Sequence, residues 1–359
     1  MTIPDFKTLT IGYAPLSQDF SEPGDRRRFC SYAAARGFQF SIADPARHYD
    51  IVYLTYNCDI PAWIRYKQQY GVSTRLIFEL VDSYLFENNT SRAFLRGIGK
   101  FVTGKSSRLY LNYKKAIIEI CRLADAVVCS TMEQQAFLRQ FNNNVHLSLD
   151  VFDNEVSVRK TNYHLGSVLK LVWEGQPYTM NNILSIASVL NDLKNKIELH
   201  VVSDEHYYFF SKHYLKCDSR RILRKLKCPV IFHPWHKESF SRNICDADLA
   251  IIPIDLTNRL AISKPENKLI LLWRMGVPVI TSVTPAYQRV MNQFGLDMMC
   301  HDSSEWAQKI EDYLLMESDQ RRVLGDRILD FSMRYYHRDK MFDQWDRIMN
   351  SVIDNLEKD

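Results

Sequence analysis

Asp248–Ser282 reads DLAIIPIDLTNRLAISKPENKLILLWRMGVPVITS, and the order of its elements decides the fold. The apolar run Leu249–Ile254 is short and rich in β-branched residues, which predicts a strand buried on both faces. Ser263-Lys264-Pro265-Glu266 has the S-x-x-E spacing of a capping box, which predicts the start of a helix of about ten residues. Gly276 is suited to end that helix in the left-handed conformation, and Val277–Ile280 begins another strand. The segment is therefore predicted to be one βαβ unit.

Two lysines mark the start of the predicted helix. Lys264 and Lys268 are four residues apart, which would place them one helical turn from each other. Their ammonium groups, the free backbone N–H groups and the positive end of the helix dipole would suit a phosphate or diphosphate. The alternative is a capped helix whose lysines are merely solvated.

Length and composition narrow the class of protein. The chain of 359 residues is long enough for two domains, and its 46% hydrophobic and 25% charged contents are typical of globular proteins. A formal net charge of +4 is too small to indicate nucleic-acid binding. No apolar run approaches the roughly 20 residues of a membrane span, and the first residues lack a signal-peptide pattern. We expect a cytoplasmic protein whose contact with any membrane is peripheral.

The potential metal ligands do not form a metal-site pattern. The eight cysteines include no CxxC pair and no ligand spacing with histidine, and several, such as Cys129, lie in apolar runs. These features predict reduced core thiols. Asp246-Ala247-Asp248 stands at a helix–strand boundary, where capping is the expected role of the acids. We expect neither a metal nor a cofactor.

Strand and helix signals alternate in two successive series. We predict a first domain over residues 1–155, a second over 156–335, and a C-terminal helix over 336–359 that crosses back to the first domain. Two series of alternating β and α predict two doubly wound parallel sheets, an α/β architecture. Such sheets bind ligands beyond the carboxyl ends of their strands, so the cleft between the domains is the expected site.

Five segments of the chain form recognisable motifs. They are Leu76–Asp82 (LIFELVD) and Ala124–Thr131 (ADAVVCST) in the first half, and Leu171–Gly175 (LVWEG), Pro234-Trp235 and Ala247–Pro253 in the second. Together they resemble motifs of GT-B glycosyltransferases, in particular the retaining family 4 enzymes of bacterial surface polysaccharides. The first segment is similar to a strand and turn of some polysaccharide transferases, the second to the strand that ends the acceptor-side domain, and the last three to successive parts of the donor domain. The resemblance covers nearly the whole chain and implies two Rossmann-like domains that face a cleft.

The paired glutamates usual in family 4 are absent. They stand eight residues apart in that family, and here the corresponding positions are Ser263 and Leu271, the latter where a ribose-binding glutamate is expected. Of the usual K-x-x-E-x-x-x-x-G fragment, Lys268 and Gly276 are present. The resemblance therefore implies a donor phosphate site in which recognition of the nucleoside differs.

The resemblance implies a donor site in the second domain. A leaving diphosphate would be neutralised there by basic side chains and helix N–H groups without a metal, and stabilisation of that charge is a large source of rate. Gly175 would let the backbone approach the ligand, or serve only as a turn glycine. The candidate donor-binding residues are Gly175, His236, Arg259, Lys264, Glu266, Asn267 and Lys268. His236 also has a structural alternative.

Acceptor-side and catalytic candidates come from the first domain. Asp25, Arg26 and Arg27 begin its first predicted helix, with Asp25 as the cap, and either contact an acceptor pyrophosphate or the donor, or form a solvated helix start. Asn57 follows a strand in the same way. Glu79 and Asp82 end another strand and are the candidates, with Lys268, for catalytic roles. Their alternative role is to cap the next segment.

The interval 88–118 contains no acidic residue. Arg92, Arg96 and Lys100 fall at i, i+4 and i+8, with apolar residues largely on another face, which is typical of a segment drawn to anionic lipid headgroups. Three glycines in the interval argue against a helix, and the alternative is a basic loop over the acceptor site.

These observations predict a glycosyltransferase that moves a sugar from a nucleotide-diphosphate sugar to a carbohydrate or lipid-linked saccharide. The reaction would be retaining and metal-independent and would serve surface polysaccharide synthesis, at the inner face of the cytoplasmic membrane. Two alternatives stay open. One is a GT-B sugar-nucleotide epimerase, and the other is a non-catalytic GT-B-like subunit of a partner transferase.

Overall fold

The computed structural model describes residues 6, 8–81, 84–86, 90–210 and 214–356. Two compact units divide the chain. The first comprises Met1–Val151, Ser263–Pro265 and Arg338–Asp359, and the second comprises Phe152–Ile262 and Glu266–His337. Within the described residues, no helix combines the length and the apolar character needed to cross a bilayer.

The first unit contains a six-stranded parallel sheet in the order β2-β1-β3-β4-β5-β6. Its strands are β1 (Ile11–Ala14), β2 (Ser41–Ile42), β3 (Ile51–Thr55), β4 (Arg75–Leu80), β5 (Ala126–Cys129) and β6 (Val145–Leu147). The four central strands are buried along their whole length, which explains why they read as continuous apolar runs rather than alternating ones.

Six helices in the first part of the chain connect these strands. They are α1 (Pro23–Arg26), α2 (Phe29–Arg36), α3 (Ile60–Tyr70), α4 (Thr90–Val102), α5 (Tyr113–Leu123) and α6 (Met132–Leu138), with short 3₁₀ helices at Gly71–Ser73 and Tyr84–Phe86. Local capping fixes several starts, since Asn112 and Thr131 accept from the first-turn N–H groups of α5 and α6.

The second unit contains another six-stranded parallel sheet, in the order β11-β8-β7-β12-β13-β14. Its strands are β7 (Leu169–Glu174), β8 (Ile197–Ser203), β11 (Val230–Pro234), β12 (Leu249–Ile252), β13 (Val279–Ser282) and β14 (Met299–Cys300). An antiparallel hairpin, β9 (His206–Phe210) with β10 (Tyr214–Asp218), follows β8. The two predicted parallel sheets are thus confirmed, whereas the hairpin had no counterpart among the predicted elements.

The second unit also holds eight described helices and a 3₁₀ helix over Pro177–Ile186. These helices are α7 (Ala187–Asp192), α8 (Arg220–Leu223), α9 (Phe240–Cys245), α10 (Arg259–Ile262), α11 (Asn267–Trp273), α12 (Pro285–Phe294), α13 (Ser303–Leu315) and α14 (Ser318–Tyr335). The helical pattern of the sequence predicts one helix over Asn181–Leu193, whereas the structure has the end of the 3₁₀ helix followed by α7 there. Asn181 and Asn182 are poor helix formers, and the Asn182 side chain instead accepts a hydrogen bond from the Asp255 backbone N–H.

The last helix, α15 (Arg338–Leu356), belongs to the first unit. Trp345 is fully buried and stacks on Tyr32 with ring centroids 5.5 Å apart. The Asp346 carboxylate accepts from the Tyr32 hydroxyl at 2.7 Å and from the Arg36 guanidinium at 2.5 and 2.9 Å. This helix therefore completes the core of a unit whose other elements lie at the start of the chain.

All eight cysteines are free thiols. Burial raises the pKa of Cys121 and of Cys129 to about 12, so both remain protonated at neutral pH. Among the described residues, no group of three or more His, Cys, Asp or Glu side chains is arranged to hold a metal ion.

Candidate functional site

The strand order of the second sheet identifies its switch point. β7 pairs with β8 on one side and with β12 on the other. The connection after β7 leads to β8 and the connection after β12 leads to β13, so the two leave in opposite directions. A crevice for ligands forms beyond the carboxyl ends of the two strands at such a point. Glu174 ends β7 there, and Pro253 follows β12.

Gly175 makes the turn that follows β7. Its N–H donates to the Val202 carbonyl at 3.2 Å, and its own carbonyl accepts from the Ser203 hydroxyl at 2.6 Å. A Cβ atom at this position would lie 2.5 Å from Nζ of Lys268 and 3.1 Å from the Trp173 ring. The missing side chain therefore makes room for the lysine.

Lys268 places its ammonium group at the switch point. It lies in the first turn of α11, is half-buried, and donates a hydrogen bond to the Glu174 carbonyl. Nζ also lies 4.7 Å from the centre of the Trp173 ring, at cation–π distance. The structure brings together Gly175 and Lys268, two of the residues singled out in the sequence.

The predicted capping box is wrong. α11 begins at Asn267 with Glu266 as its N-cap residue, whose side chain makes no capping bond, and Ser263 lies outside any helix. A cap at Ser263 would require helical backbone at Lys264, and the proline ring that follows disfavours that conformation. Lys264 is thus not one helical turn from Lys268, and the Ser263–Pro265 segment groups with the first unit.

Glu266 is buried near two tyrosines of the second unit. Burial, followed by the charges of Glu266 and Glu174, raises the pKa of Tyr287. Burial and the Glu266 charge also raise the pKa of Tyr336 against the opposing charge of Arg289. Both phenols stay protonated at neutral pH and can act as hydrogen-bond donors.

The remaining donor candidates occupy different surroundings. Arg259 is exposed at the start of α10, Asn267 is half-exposed at the start of α11, and His236 is exposed after Trp235. The Trp235 N–H donates to the Ser203 carbonyl at 2.9 Å, which joins the ends of β8 and β11. Sequence reasoning missed Ser203, whose hydroxyl donates to the Gly175 carbonyl, and Tyr287, which lies near Glu266 and Glu174. The available signal for Ser203 was a polar residue at the end of a strand.

Asp25 does not cap a helix that begins at Arg26. It lies inside α1, is fully buried, and accepts from the backbone N–H groups of Leu16 and Ser17 at 2.8 and 2.9 Å and from the Tyr13 hydroxyl at 2.5 Å. The carboxylate is held by the loop after β1, so it organises that loop. Direct contact with an acceptor is not available to this buried group.

Asn57 and Arg26 each donate to a carbonyl of the same loop. The Asn57 amide donates to the Leu16 carbonyl at 2.8 Å, joining the ends of β1 and β3 at the switch point of the first sheet. Arg26 is half-exposed and donates to the Ser21 carbonyl, whereas the Arg27 guanidinium lies 3.9 Å from the Asp150 carboxylate.

Glu79 lies inside the first unit. It is fully buried at the end of β4 and forms an ion pair with the equally buried Arg28. Arg28 also donates to the Ser148 carbonyl at 3.0 Å and to the Asp150 carboxylate at 3.3 Å. These partners favour a structural role for Glu79, and its catalytic role stays a prediction. Asp82 lies outside the described residues.

Comparisons with known proteins support the fold. No family model and no curated protein matches the chain. HepE from Anabaena, in complex with UDP and glucose, has a TM-score of 0.62 at 10% identity, with 96% of this chain and all of HepE (100%) covered. The fold is GT-B. Sucrose-phosphate synthase from Thermosynechococcus elongatus has a TM-score of 0.58 at 14% identity, covering 95% of this chain and 80% of the synthase.

S. aureus TarM, in a complex that includes UDP, has a TM-score of 0.55 at 12% identity. The match covers 83% of this chain but only 55% of TarM, so this chain spans about half of TarM's length. At these identities the likeness concerns the arrangement of the backbone.

Proposed function

We propose that the protein is a glycosyltransferase that transfers a sugar from a nucleotide-diphosphate sugar to a carbohydrate or lipid-linked saccharide. We assign it to a retaining, metal-independent mechanism like that of family 4, with a role in surface polysaccharide synthesis. A lipid-linked acceptor would bring the enzyme to the inner face of the cytoplasmic membrane.

The observation that carries the proposal is the ammonium group of Lys268 at the switch point of the second sheet. The ammonium group contacts the Glu174 carbonyl and the Trp173 ring, and a diphosphate bound at the switch point would form charge-assisted hydrogen bonds with it. UDP is present in the structures of HepE and TarM, which makes uridine diphosphate sugars the first donors to test.

The chemical role of Lys268 follows from charge. As the bond between the sugar and the phosphate breaks, negative charge develops on the leaving diphosphate, and a fixed ammonium group stabilises the transition state more than the ground state. A retaining transfer of this kind can pass the acceptor proton to the departing phosphate. It therefore does not require a carboxylate base, consistent with the buried position of Glu79.

We retain Gly175, His236, Arg259, Lys264, Glu266 and Asn267 as proposed donor contacts. On the acceptor side we retain Arg26, Arg27 and Asn57. Asp25 is assigned to the organisation of the β1 loop.

The first experiment is a thermal-shift screen of nucleotide sugars on the full chain and on Lys268→Ala. The matched control is Lys196→Ala, because Lys196 precedes β8 at the opposite edge of the same sheet. The Lys196 side chain forms an exposed ion pair with Glu311 at 2.9 Å, and such pairs contribute about 0–1 kcal/mol. We expect a nucleotide sugar to stabilise the wild type and the control, and to stabilise Lys268→Ala much less.

Calorimetry and product analysis separate the alternatives. Transfer to an added saccharide supports the proposal, whereas interconversion of the sugar nucleotide without an acceptor would identify an epimerase. Failure of every nucleotide sugar to bind, or an unchanged response of Lys268→Ala, would refute the donor site. Absence of nucleotide-sugar binding by calorimetry, together with binding to another protein, would favour the non-catalytic subunit.

A further inference from the structure

Exposed apolar side chains are concentrated on one part of the first unit. Among the described residues, fourteen large hydrophobic side chains are exposed, and six of them fall between positions 94 and 111. We call these six the α4 surface: Phe94, Leu95, Phe101, Val102, Leu109 and Leu111. Leu95 is 63% exposed and Val102 is 76% exposed, values that are unusual for a cluster of aliphatic residues on a globular protein.

The apolar side of α4 faces away from the protein. Phe94, Leu95, Phe101 and Val102 stand at i, i+1, i+7 and i+8, which is one stripe of a helix with 3.6 residues per turn. An ordinary surface helix packs such a stripe on the core. Here the stripe is exposed to solvent, so these hydrophobic side chains do not pack in the core of the protein.

The opposite side of α4 is held against the protein by polar contacts and a close approach. Lys100 is buried and donates to the Tyr56 carbonyl at 2.7 Å and the Tyr113 hydroxyl at 2.8 Å. Gly97 is buried where a side chain would overlap the Tyr110 carbonyl oxygen. These contacts fix the orientation of the helix and keep its apolar stripe outward. They also correct the expectation that Lys100 faces lipid headgroups.

The charged residues that belong to the interval 88–118 are all basic. No acidic residue occurs between positions 88 and 118. Lys105, Arg108 and Lys115 are exposed in the described structure. Apolar residues among basic ones suit a surface that combines an apolar interior with anionic headgroups.

We propose that the α4 surface binds the headgroup region of an anionic lipid bilayer. A bilayer accounts for both observations at once, since the six apolar side chains enter the acyl boundary while the basic side chains remain among phosphates. A second copy of this chain is a poorer partner, because the same basic residues would meet each other across a symmetric contact. The proposal does not depend on nucleotide-sugar binding.

The position of Lys100 gives this contact a consequence for function. Its ammonium group holds the Tyr56 carbonyl, and Asn57 joins that turn to the loop after β1 at the switch point of the first sheet. The carboxyl edge of this sheet is therefore fixed to the helix that contacts lipid. A bilayer-bound acceptor would be presented close to that edge.

Vesicle sedimentation with the full chain tests the proposal. The two vesicle types are pure phosphatidylcholine and a mixture rich in phosphatidylglycerol, and the variants are Leu95→Ser/Val102→Ser and Lys105→Ala/Arg108→Ala. Val72→Ser/Met132→Ser is the matched control, because both residues are exposed hydrophobics of the first unit outside the α4 surface. Thermal unfolding of each variant verifies that the protein is folded.

We expect the wild type to bind anionic vesicles. The affinity should fall about tenfold or more in Leu95→Ser/Val102→Ser and about fivefold for each basic residue removed. The control should bind as the wild type does. Absence of binding to vesicles of pure phosphatidylcholine agrees with the proposal, as does loss of binding to anionic vesicles in high salt. Equal sedimentation of the wild type and the folded apolar variant, or none with either vesicle type, overturns it. Dimerisation that Leu95→Ser/Val102→Ser abolishes, seen by analytical ultracentrifugation without vesicle binding, would instead identify a contact between copies.

Discussion

At Gly175, a missing side chain decides where the Lys268 ammonium group lies. Gly175→Ala would bring Cβ to 2.5 Å from Nζ, and the flexible lysine would be the group to move. Loss of a hydrogen bond to a charged group costs about 1.5–3 kcal/mol, so we expect affinity for the nucleotide sugar to fall roughly tenfold to a hundredfold. Isothermal calorimetry measures this change directly.

The control for this variant is Gly295→Ala. Gly295 ends α12 at φ +76°, and a Cβ atom there meets nothing within 4 Å. The strained backbone costs about 1 kcal/mol of stability, without effect on a ligand at the switch point. If both variants weaken binding equally, the effect of Gly175→Ala comes from general destabilisation.

Histidine pairing on the second sheet predicts a pH dependence of stability. Nδ1 of His200 lies 2.9 Å from Nε2 of His233, and Nε2 of His200 lies 2.7 Å from the Glu198 carboxylate. Burial, followed by the His200 charge, lowers the pKa of His233 below the usual 6.5, against the opposing charges of Asp246 and Glu198. The folded protein then binds fewer protons than the unfolded chain just below pH 6.5.

The stability contributed by neutral His233 is therefore present above about pH 6.5 and is lost as the pH falls towards its folded-state pKa. Thermal melts between pH 7.5 and 5.0 should show a steeper loss in the wild type than in His233→Gln, which keeps an amide donor but does not titrate. Parallel melting curves for the two proteins would show that His233 is not responsible.

Single residues were predictable from sequence where their role is local. A glycine after a strand and a lysine in the first turn of a helix can be identified without knowledge of distant contacts, and Gly175 and Lys268 do meet. Glu79 pairs with Arg28, 51 positions away, and that partner depends on the packing of α2 against the sheet. The sequence therefore indicated an accessible carboxylate at the end of a strand, whereas Glu79 is buried.

At the scale of elements, α4 shows how a glycine can be required inside a helix. Gly97→Ala would place Cβ over the Tyr110 carbonyl oxygen, a backbone atom that cannot move alone, so α4 should separate from the segment before α5. Gly99→Ala meets nothing within 4 Å and should stabilise the helix by about 1 kcal/mol. Hydrogen exchange of the α4 amides should rise in the first variant and fall in the second.

The two glycines thus form an internal control, since they differ by two positions and receive the same substitution. Equal exchange rates in both variants would contradict the close packing at Gly97. The sequence argued against this helix because glycine has low helix propensity. Propensity was overruled here by tertiary contacts of Gly97 and Lys100, which a local pattern does not contain.

The start of α11 shows the opposite case. The local sequence contained the information needed to place it, but the capping pattern was given more weight than the proline. The S-x-x-E spacing indicated a cap at Ser263, whereas the steric effect of Pro265 on Lys264 moved the start to Asn267. The left-handed conformation of Gly276 was predicted correctly, with φ +74°, although α11 itself ends three residues earlier, at Trp273.

At the scale of the whole molecule, the two parallel sheets were predictable because buried strands leave continuous β-branched runs. The order of the strands was not, since it depends on which side each connection takes. The antiparallel pairing of β9 with β10 also lay outside the prediction. The two strands are as rich in aromatic residues as buried strands, but in the part of the chain that the structure describes they pair only with each other.

The first unit is assembled from the two ends of the chain, and this leads to the last prediction. Removal of α15 would expose the aromatic rings around Trp345, including Phe29, Tyr32 and Tyr53, and would leave Arg36 without Asp346. Trp345→Ala alone should cost about 3–5 kcal/mol by the cavity it creates. A chain that ends at residue 337 should therefore lose the folded first unit and keep the second.

Limited proteolysis with mass spectrometry distinguishes these outcomes in one experiment. We expect rapid cleavage throughout residues 8–151 of the truncated chain, protection of 152–337, and restored protection when a peptide of residues 338–356 is added. Asp339→Asn, an exposed change on the same helix, should behave as the wild type, whereas Asp346→Asn should open the first unit more often. Full protection of residues 8–151 without α15 would show that the first unit folds independently of the end of the chain.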